Sequence, residues 1–422
     1  MVRPDVLAII IFLCVYTFLA LSTKHRAIAV WIGGILFFIF KIITPQYGFL
    51  FINWNVIGIF CGTLLVSELF IHSKVPAYLA DLLVNRSNSV GVAMLLVCIL
   101  SGFISMFVEN VATVLIVAPV ALEIAKKIRT SPVPFIIGIA VSSNLQGTAT
   151  LIGDPPSMIL AGFLKMRFND FFFLLGRPSI FFSVEIGAVA SFVVLYLIFK
   201  KYRQRVRKVE KTKIESWTPS WLLIGMIVLL ALSSFVDVEF SYLAGIICMI
   251  FGVIGLLWQG RRDKAVAIGL LKNFDWETTF FLMGIFVMVA GLKNSGCIDE
   301  IASFIKKAGV SNTFIVYTIL VWFSVFVSAF VDNVPYVTAM IPVGQTLANG
   351  FDIPPFLFLF GILIGACLGG NITPIGASAN IVGIGLLKKK GYECSFWDFM
   401  RIGLPFTIFA VIAAYIFTWI IW

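Results

Sequence analysis

The chain alternates long apolar runs with short polar breaks, and run length sets the first reading. A spanning helix needs roughly 20 mainly apolar residues. Runs 5–22, 27–44 and 54–71 meet that length, and residues 73–90 (SKVPAYLADLLVNRSNSV) alternate polar and apolar positions as an interfacial helix does. The run 91–128 is broken in the middle by Glu109-Asn110. It is short for two full spans and suits two half-spans meeting at a polar tip, a re-entrant hairpin. The run 132–164 is interrupted from Asn144 to Pro156 by NLQGTATLIGDPP and reads as one broken span, and 178–199 reads as a further span. The order then repeats. Spans are predicted at 219–235, 241–258 and 276–292, an interfacial stretch at 297–312, a hairpin at 313–349 with Asp332-Asn333 at its tip, a broken span at 354–387 and a last span at 402–421.

The repetition extends to individual residues. FVENVATVLIVAPV at 107–120 and FVDNVPYVTAMIPV at 330–343 share seven of fourteen positions at a shift of 223. GTATLIGDPPSMI at 147–159 and GNITPIGASANIV at 370–382 match at the same shift, through Gly147/Gly370, Thr150/Thr373, Ile152/Ile375 and Gly153/Gly376. Trp54 and Gly62 match Trp276 and Gly284 at a shift of 222. One structural unit is used twice: residues 1–199, a basic connector 200–216, and residues 217–422.

Loop charge orients the two copies. The loop after the first span carries Lys24, His25 and Arg26, while its counterpart carries Asp237 and Glu239. The loop after the first hairpin has Lys126, Lys127 and Arg129, and its counterpart has only Asp352. The segment 45–53 is uncharged, whereas 259–272 has Arg261, Arg262, Lys264 and Lys272. By the positive-inside rule, equivalent loops prefer opposite sides. Five crossings per half give the same result. The expectation is an all-α polytopic membrane protein of two inverted-topology repeats, each with five spanning helices (one broken) and one re-entrant hairpin. Such repeats are associated with secondary transporters.

Composition agrees with that class. The 422 residues are 60% hydrophobic and 12% charged, and the mean hydropathy is +1.04. Soluble domains carry about twice that share of charge. The net charge of +10 does not indicate nucleic acid, because KKYRQRVRKVEKTKIE at 200–215 holds eight Lys/Arg against two Glu. That stretch reads as a solvated cytoplasmic connector, with contact to anionic lipid as a further role open to it. Seven cysteines show no paired spacing, and His25 and His72 are too few for a His-built metal site. The run 5–22 has no small-residue cleavage pattern and reads as a retained helix. The breaks contain no GxSxG, HExxH or Ser/His/Asp set, so no enzyme is expected.

The candidate chemistry lies at the four breaks. Non-helical backbone in hydrocarbon is tolerated only around protein or a water-filled cavity. A buried carboxylate is costly unless paired, hydrogen-bonded or protonated. Glu109, Asp154 and Asp332 are therefore candidates for cation or proton coupling, with helix capping as the plain alternative for Glu109 and Asp332. Asn110 and Asn333 either coordinate an ion or cap. Thr113, Asn144, Gly147, Thr148, Thr150 and Gly153 complete the first candidate set. Asn371, Thr373, Gly376, Ser378 and Asn380 complete the second. Asn110, Gly153, Asn333 and Gly376 are the candidate ligands should the ion be Na⁺. No other cofactor is expected. Ser378 and Asn380 stand where Pro155 and Ser157 stand in the first copy, so the two sites differ chemically, and which one is ion-biased is left open.

On ENVATVLIVAP, GTATLIGDPPSMI, DNVPYVTAMIPV and GGNITPIGASANIV, the chain resembles the ion transporter superfamily. That superfamily includes arsenite efflux pumps, NhaD-type antiporters, the melanosomal P protein and the divalent-anion:sodium symporters. The likeness is to the arsenical-pump/P-protein branch above all, through IGASANIV and DNVPYVTAMIP. It covers about residues 25–420. It implies a homodimer of scaffold and transport domains, elevator motion, and paired ion sites around Asn110 and Asn333. The symporters carry Ser-Asn-Thr at the tips, whereas this chain has Glu109-Asn110-Val111 and Asp332-Asn333-Val334. The extra carboxylates favour proton or cation handling. The resulting expectation is a cell-membrane secondary transporter of a small ion or anionic solute, arsenite-like or other, coupled to H⁺ or Na⁺. A Na⁺/H⁺ antiporter and an ion channel are the alternatives. A partner ATPase remains compatible with it.

Overall fold

A computed structural model describes residues 4–21, 25–206, 209–296 and 312–422. The expected interfacial stretch at 297–312 and Lys24 of the first loop fall outside these, apart from Asn312. In the first half, helices run Pro4–Leu21, Arg26–Ile39, Pro45–Phe51, Trp54–His72, Val75–Arg86, Val90–Ser105, Asn110–Lys127, Val133–Gly147, Pro155–Leu164 and Ile180–Phe199. In the second half they run Thr218–Ser233, Leu243–Arg262, Lys264–Lys272, Trp276–Asn294, Thr313–Ser328, Asn333–Phe351, Phe356–Gly369, Ser378–Lys389 and Phe396–Ile421. Each of the runs 91–128, 132–164, 313–349 and 354–387, the hairpins and broken spans of the sequence reading, holds two helices separated by a short break.

Local chemistry explains the boundaries. Asn53 caps the helix at Trp54 by accepting from the Val56 N–H, and Asp275 caps its counterpart at Trp276 by accepting from the Thr278 N–H. The expected span 27–44 ends early, at Ile39, because Thr44 caps a separate short helix with Pro45 at its first position. The last helix begins at Phe396 rather than 402, held by a capping box between Ser395 and Asp398. The charged loop 259–272 contains the helix Lys264–Lys272, started by Asp263. One departure from an all-α chain is a two-stranded antiparallel hairpin, Phe173–Leu174 with Arg177–Pro178. Its turn residues Leu175 and Gly176 both have positive φ, as a tight hairpin turn demands.

Two groups of helices make up the body. In the first, Trp54–His72 lies against Leu243–Arg262, and the counterpart Trp276–Asn294 lies against Arg26–Ile39. The first pair touches backbone to backbone: a Cβ on Gly62 would run into the backbone carbonyl of Cys248. In the second group, each hairpin's first arm packs on the first half of its own broken span. The helices Ile180–Phe199 and Phe396–Ile421 pack on each other and on this second group. Among the described residues, four helices, together with the stretch 264–294, are long and apolar enough to cross a membrane: Trp54–His72, Ile180–Phe199, Leu243–Arg262 and Phe396–Ile421. The hairpin arms Val90–Ser105 and Thr313–Ser328 have 16 residues each, about 24 Å of helix against a hydrocarbon core of about 30 Å.

The connector is tied down rather than loose. Asn85 donates its side-chain N–H to the Val209 carbonyl and accepts from the Val209 N–H. Asp81 accepts from both the N–H and the hydroxyl of Thr212. The carbonyls of Tyr202 and Gln204 take the first N–H groups of the hairpin arm that starts at Val90.

Gly62→Leu tests the glycine contact. Backbone cannot give way as a side chain can, so the substitution costs about 3 kcal/mol or more. The thermal midpoint of the detergent-purified protein drops markedly, and an unchanged midpoint would disprove this packing.

Candidate functional site

Both tips and both broken spans meet in one buried chain of amides and one carboxylate. The Asn110 amide donates to Asn144 Oδ1 at 2.9 Å and to Asp154 Oδ1 at 3.4 Å. The Asn333 amide donates to Asp154 Oδ2 at 3.2 Å. The Asn144 amide donates to Asn371 Oδ1 at 2.9 Å and to the Cys367 carbonyl at 3.3 Å. Asp154, from the first broken span, thus accepts from the tip asparagine of each hairpin. Asn144 joins the first broken span to the second. All five side chains are buried. Their polar groups bond one another, as burial requires, except that the Asn371 amide nitrogen is buried without a partner among the described residues.

A cavity of about 350 Å³ opens beside this chain. Glu68, Glu109, Asp154, Asp275, Glu277 and Asp332 line it, with Arg26 as the single basic group among the described residues. Asn110, Asn144, Asn333 and Ser378 also face it. Glu109 and Asp332 cap the second arms of their hairpins, accepting from the N–H groups of Ala112 and Val334. Capping and cavity lining coexist at both. Arg26 pairs with Asp332 at 3.0 Å, and Ser378 donates to the same oxygen of Asp332 at 3.3 Å. Among the described residues, no three His, Cys or acidic side chains converge as a metal site. A cation here draws on amide and carbonyl oxygens as well as carboxylates.

The remaining candidate residues build the frame around the cavity. Thr150 donates to the Met106 carbonyl and Thr373 to the Ala329 carbonyl, tying each break to its own hairpin tip. Gly153 and Gly376 are pressed against those same tips: a Cβ on either would meet the backbone oxygens of Ser105 and Met106, or of Ser328 and Ala329, within 3.0 Å. Gly147 faces Gly153 across the break. Asn380 donates to the carbonyls of Gly370 and Thr373 and so closes the second break. Thr113 donates to the Glu109 carbonyl within its own helix. Thr148 is buried at the first break. None of these lines the cavity.

Arg26, Glu68, Asp275 and Glu277 were missed as site residues. Glu68 carried a signal, as the one acidic residue within the apolar run 54–71. The other three sit in loops or at helix starts, and only the fold brings them to the breaks.

Residues 16–358 match the family model of the citrate transporters, CitMHS. The chain belongs to this family. The match takes in the first hairpin, the first broken span and the second tip, and ends before the second break. Among curated relatives, an uncharacterized transporter of Mycobacterium tuberculosis is 28% identical over 375 residues, covering 87% of this chain and 86% of that protein. A 46 kDa membrane protein of Mycobacterium leprae is 27% identical over 426 residues, 99% and 98% of the two chains. The human P protein is 23% identical over 483 residues, and the match spans 93% of this chain and 57% of that protein's length. Among solved structures, the YdaH transporter of Alcanivorax borkumensis aligns with a TM-score of 0.60 at 14% identity, over 99% of this chain and 98% of its own. At that identity the likeness is one of fold. This member of the citrate transporter family is a multi-pass membrane transporter and not an enzyme.

Asn144→Ala tests the amide chain. It removes three hydrogen bonds and leaves buried partners unmet, at about 2–3 kcal/mol. Thr113→Ala, which removes only a contact within one helix, costs under about 1 kcal/mol. Equal thermal midpoints for the two variants would contradict the assigned network.

Proposed function

We propose that this transporter works by cation-coupled alternating access, with the cavity beside Asp154 as its binding site. The halves are read as inverted-topology repeats, and the 16-residue hairpin arms as re-entrant. In support, among the described residues every helix of the first half except Val75–Arg86 has a counterpart in the same order in the second, and equivalent loops carry opposite charge. The moving unit is taken as the hairpins and broken spans together with Ile180–Phe199 and Phe396–Ile421, which pack on them. The frame is the glycine-packed group of Trp54–His72, Leu243–Arg262 and their counterparts. The cavity is bordered by Arg26 and by residues 273–278, next to the basic loops, so the conformation is read as open to the cytoplasm.

The observation that carries this reading is the bonding of Asp154 to both tip asparagines within a cavity of six carboxylates and one guanidinium. Such a site attracts cations and repels a bare polyanion. Its volume lies in the range of small-molecule sites. A carboxylate solute of the kind the family's name indicates fits here only with its charge neutralised by a bound cation or proton. The surplus of acidic groups also favours a second reading, direct Na⁺/H⁺ antiport without an organic solute.

Proteoliposomes separate the two. Under solute-coupled transport, an imposed Na⁺ or H⁺ gradient drives citrate uptake, and little cation moves without a solute. Under antiport, a Na⁺ gradient alone changes the internal pH. In either case Asp154→Asn loses cation dependence, at least about 100-fold in rate. Wild-type cation dependence in that variant would remove Asp154 from the coupling step.

A further inference from the structure

The duplicated site carries unequal charge in its two copies. The first copy places Glu109 at its tip and Asp154 at its break, and neither makes an ion pair among the described residues. The second copy places Asp332 at its tip, but the position equivalent to Asp154 is Ala377 (154 + 223 = 377). Asp332 meets Arg26 at 3.0 Å. At the tip and break positions alone, with ionised carboxylates, the first copy presents two negative charges, and the second presents none in net with its guanidinium partner; Glu68, Asp275 and Glu277 line the cavity besides.

Arg26 comes from outside the broken spans and hairpins. It opens the helix Arg26–Ile39, whose Trp31 donates to the Phe280 carbonyl and whose Gly34 lies against Val287, both on Trp276–Asn294. The Arg26 backbone N–H donates to Glu277. Its base is therefore fixed, and its side chain crosses to the tip. The side chain donates only to Asp332 among the described residues, and Nε is buried without a partner. The corresponding stretch of the second half, 237–249, contains no Lys or Arg, so no equivalent cation reaches Glu109 from there.

We propose that Arg26 is a resident counter-cation. It fills at the second tip the place that a mobile cation fills at the first, so the duplicated site binds one mobile cation rather than two. Arg26 is then a specificity determinant that sets coupling stoichiometry. The guanidinium also repels a cation bound between Glu109 and Asp154, which holds affinity at the first tip down. This inference rests on the cation-coupled reading above.

Charge displacement on solid-supported membranes tests it, with Na⁺ jumps and acid jumps applied to proteoliposomes of the full chain. The wild type responds to one of the two cations with a Hill coefficient near one. Arg26→Gln lowers the half-saturating concentration about tenfold, as loss of a nearby positive charge requires, and raises the coefficient towards two. Arg26→Lys stays near the wild type. Asp332→Asn leaves an unpaired guanidinium in the cavity, so its half-saturating concentration rises while the coefficient stays at one. A wild type deaf to both cations defeats the cation-coupled reading itself. A responsive wild type with unchanged or weakened binding in Arg26→Gln overturns the role of Arg26 alone. A wild-type coefficient of two does the same. If Arg26→Gln does not fold, a fall in half-saturation for Asp332→Asn refutes the proposal.

Discussion

Polar groups taken out of water must find partners, and the centre of this molecule is arranged around that requirement. Four helix interruptions expose backbone and place asparagines and carboxylates in an apolar body. Each interruption is closed from within: a threonine from each break bonds the carbonyl of the adjacent tip. The side chains are then bonded to one another across the two copies through Asp154 and Asn144, with the Asn371 amide nitrogen the one member group left without a partner among the described residues. A network of this kind has few alternative pairings, so it fixes how the two halves meet more firmly than apolar contact would.

Duplication supplies the geometry, and divergence supplies the chemistry. The glycines, threonines and prolines that shape the breaks and tips recur at a constant shift: Gly153 with Gly376, Thr150 with Thr373, Pro119 with Pro342. Of the carboxylates at these positions, the tip recurs, Glu109 with Asp332, and the break does not. Asp154 has Ala377 as its counterpart, and Pro155 has Ser378. Ser378 is free to donate to Asp332, which a proline could not do. The frame tolerates no change at its close contacts, while the groups facing the cavity are free to differ.

The breaks were legible in the sequence because polar residues and prolines inside apolar runs have a specific cost there. Glu109-Asn110, Asp332-Asn333 and the Gly-Thr-Gly stretches stand out for that reason. What was not legible is whatever depends on packing between distant elements. Arg26 reads as a loop charge in the positive-inside pattern, and its reach to Asp332, 306 residues away, follows only from how Arg26–Ile39 lies on Trp276–Asn294. The connector reads as a solvated basic linker, yet Asp81 and Asn85 fasten it, and neither residue signals such a partner by itself. The sharp turn at Leu175-Gly176 lies in an aromatic-rich stretch where short strands and helix ends look alike.

The two helix groups differ in how they hold together, and that difference bears on how they move. Gly62 lets two long helices of the frame touch along their backbones. A contact of this closeness is rigid, because neither backbone has a side chain to reorient. The hairpins and broken spans are joined to each other by polar bonds, and the one ion pair among the described residues that bridges them to the frame is Arg26–Asp332. The alternating-access motion proposed above, one group sliding past the other, would leave the glycine contacts and the amide chain intact and would break that pair. A cation bound between Glu109 and Asp154 repels that guanidinium, so in the proposed motion it loosens the contact that would have to open, which links occupancy of the site to motion without a separate relay.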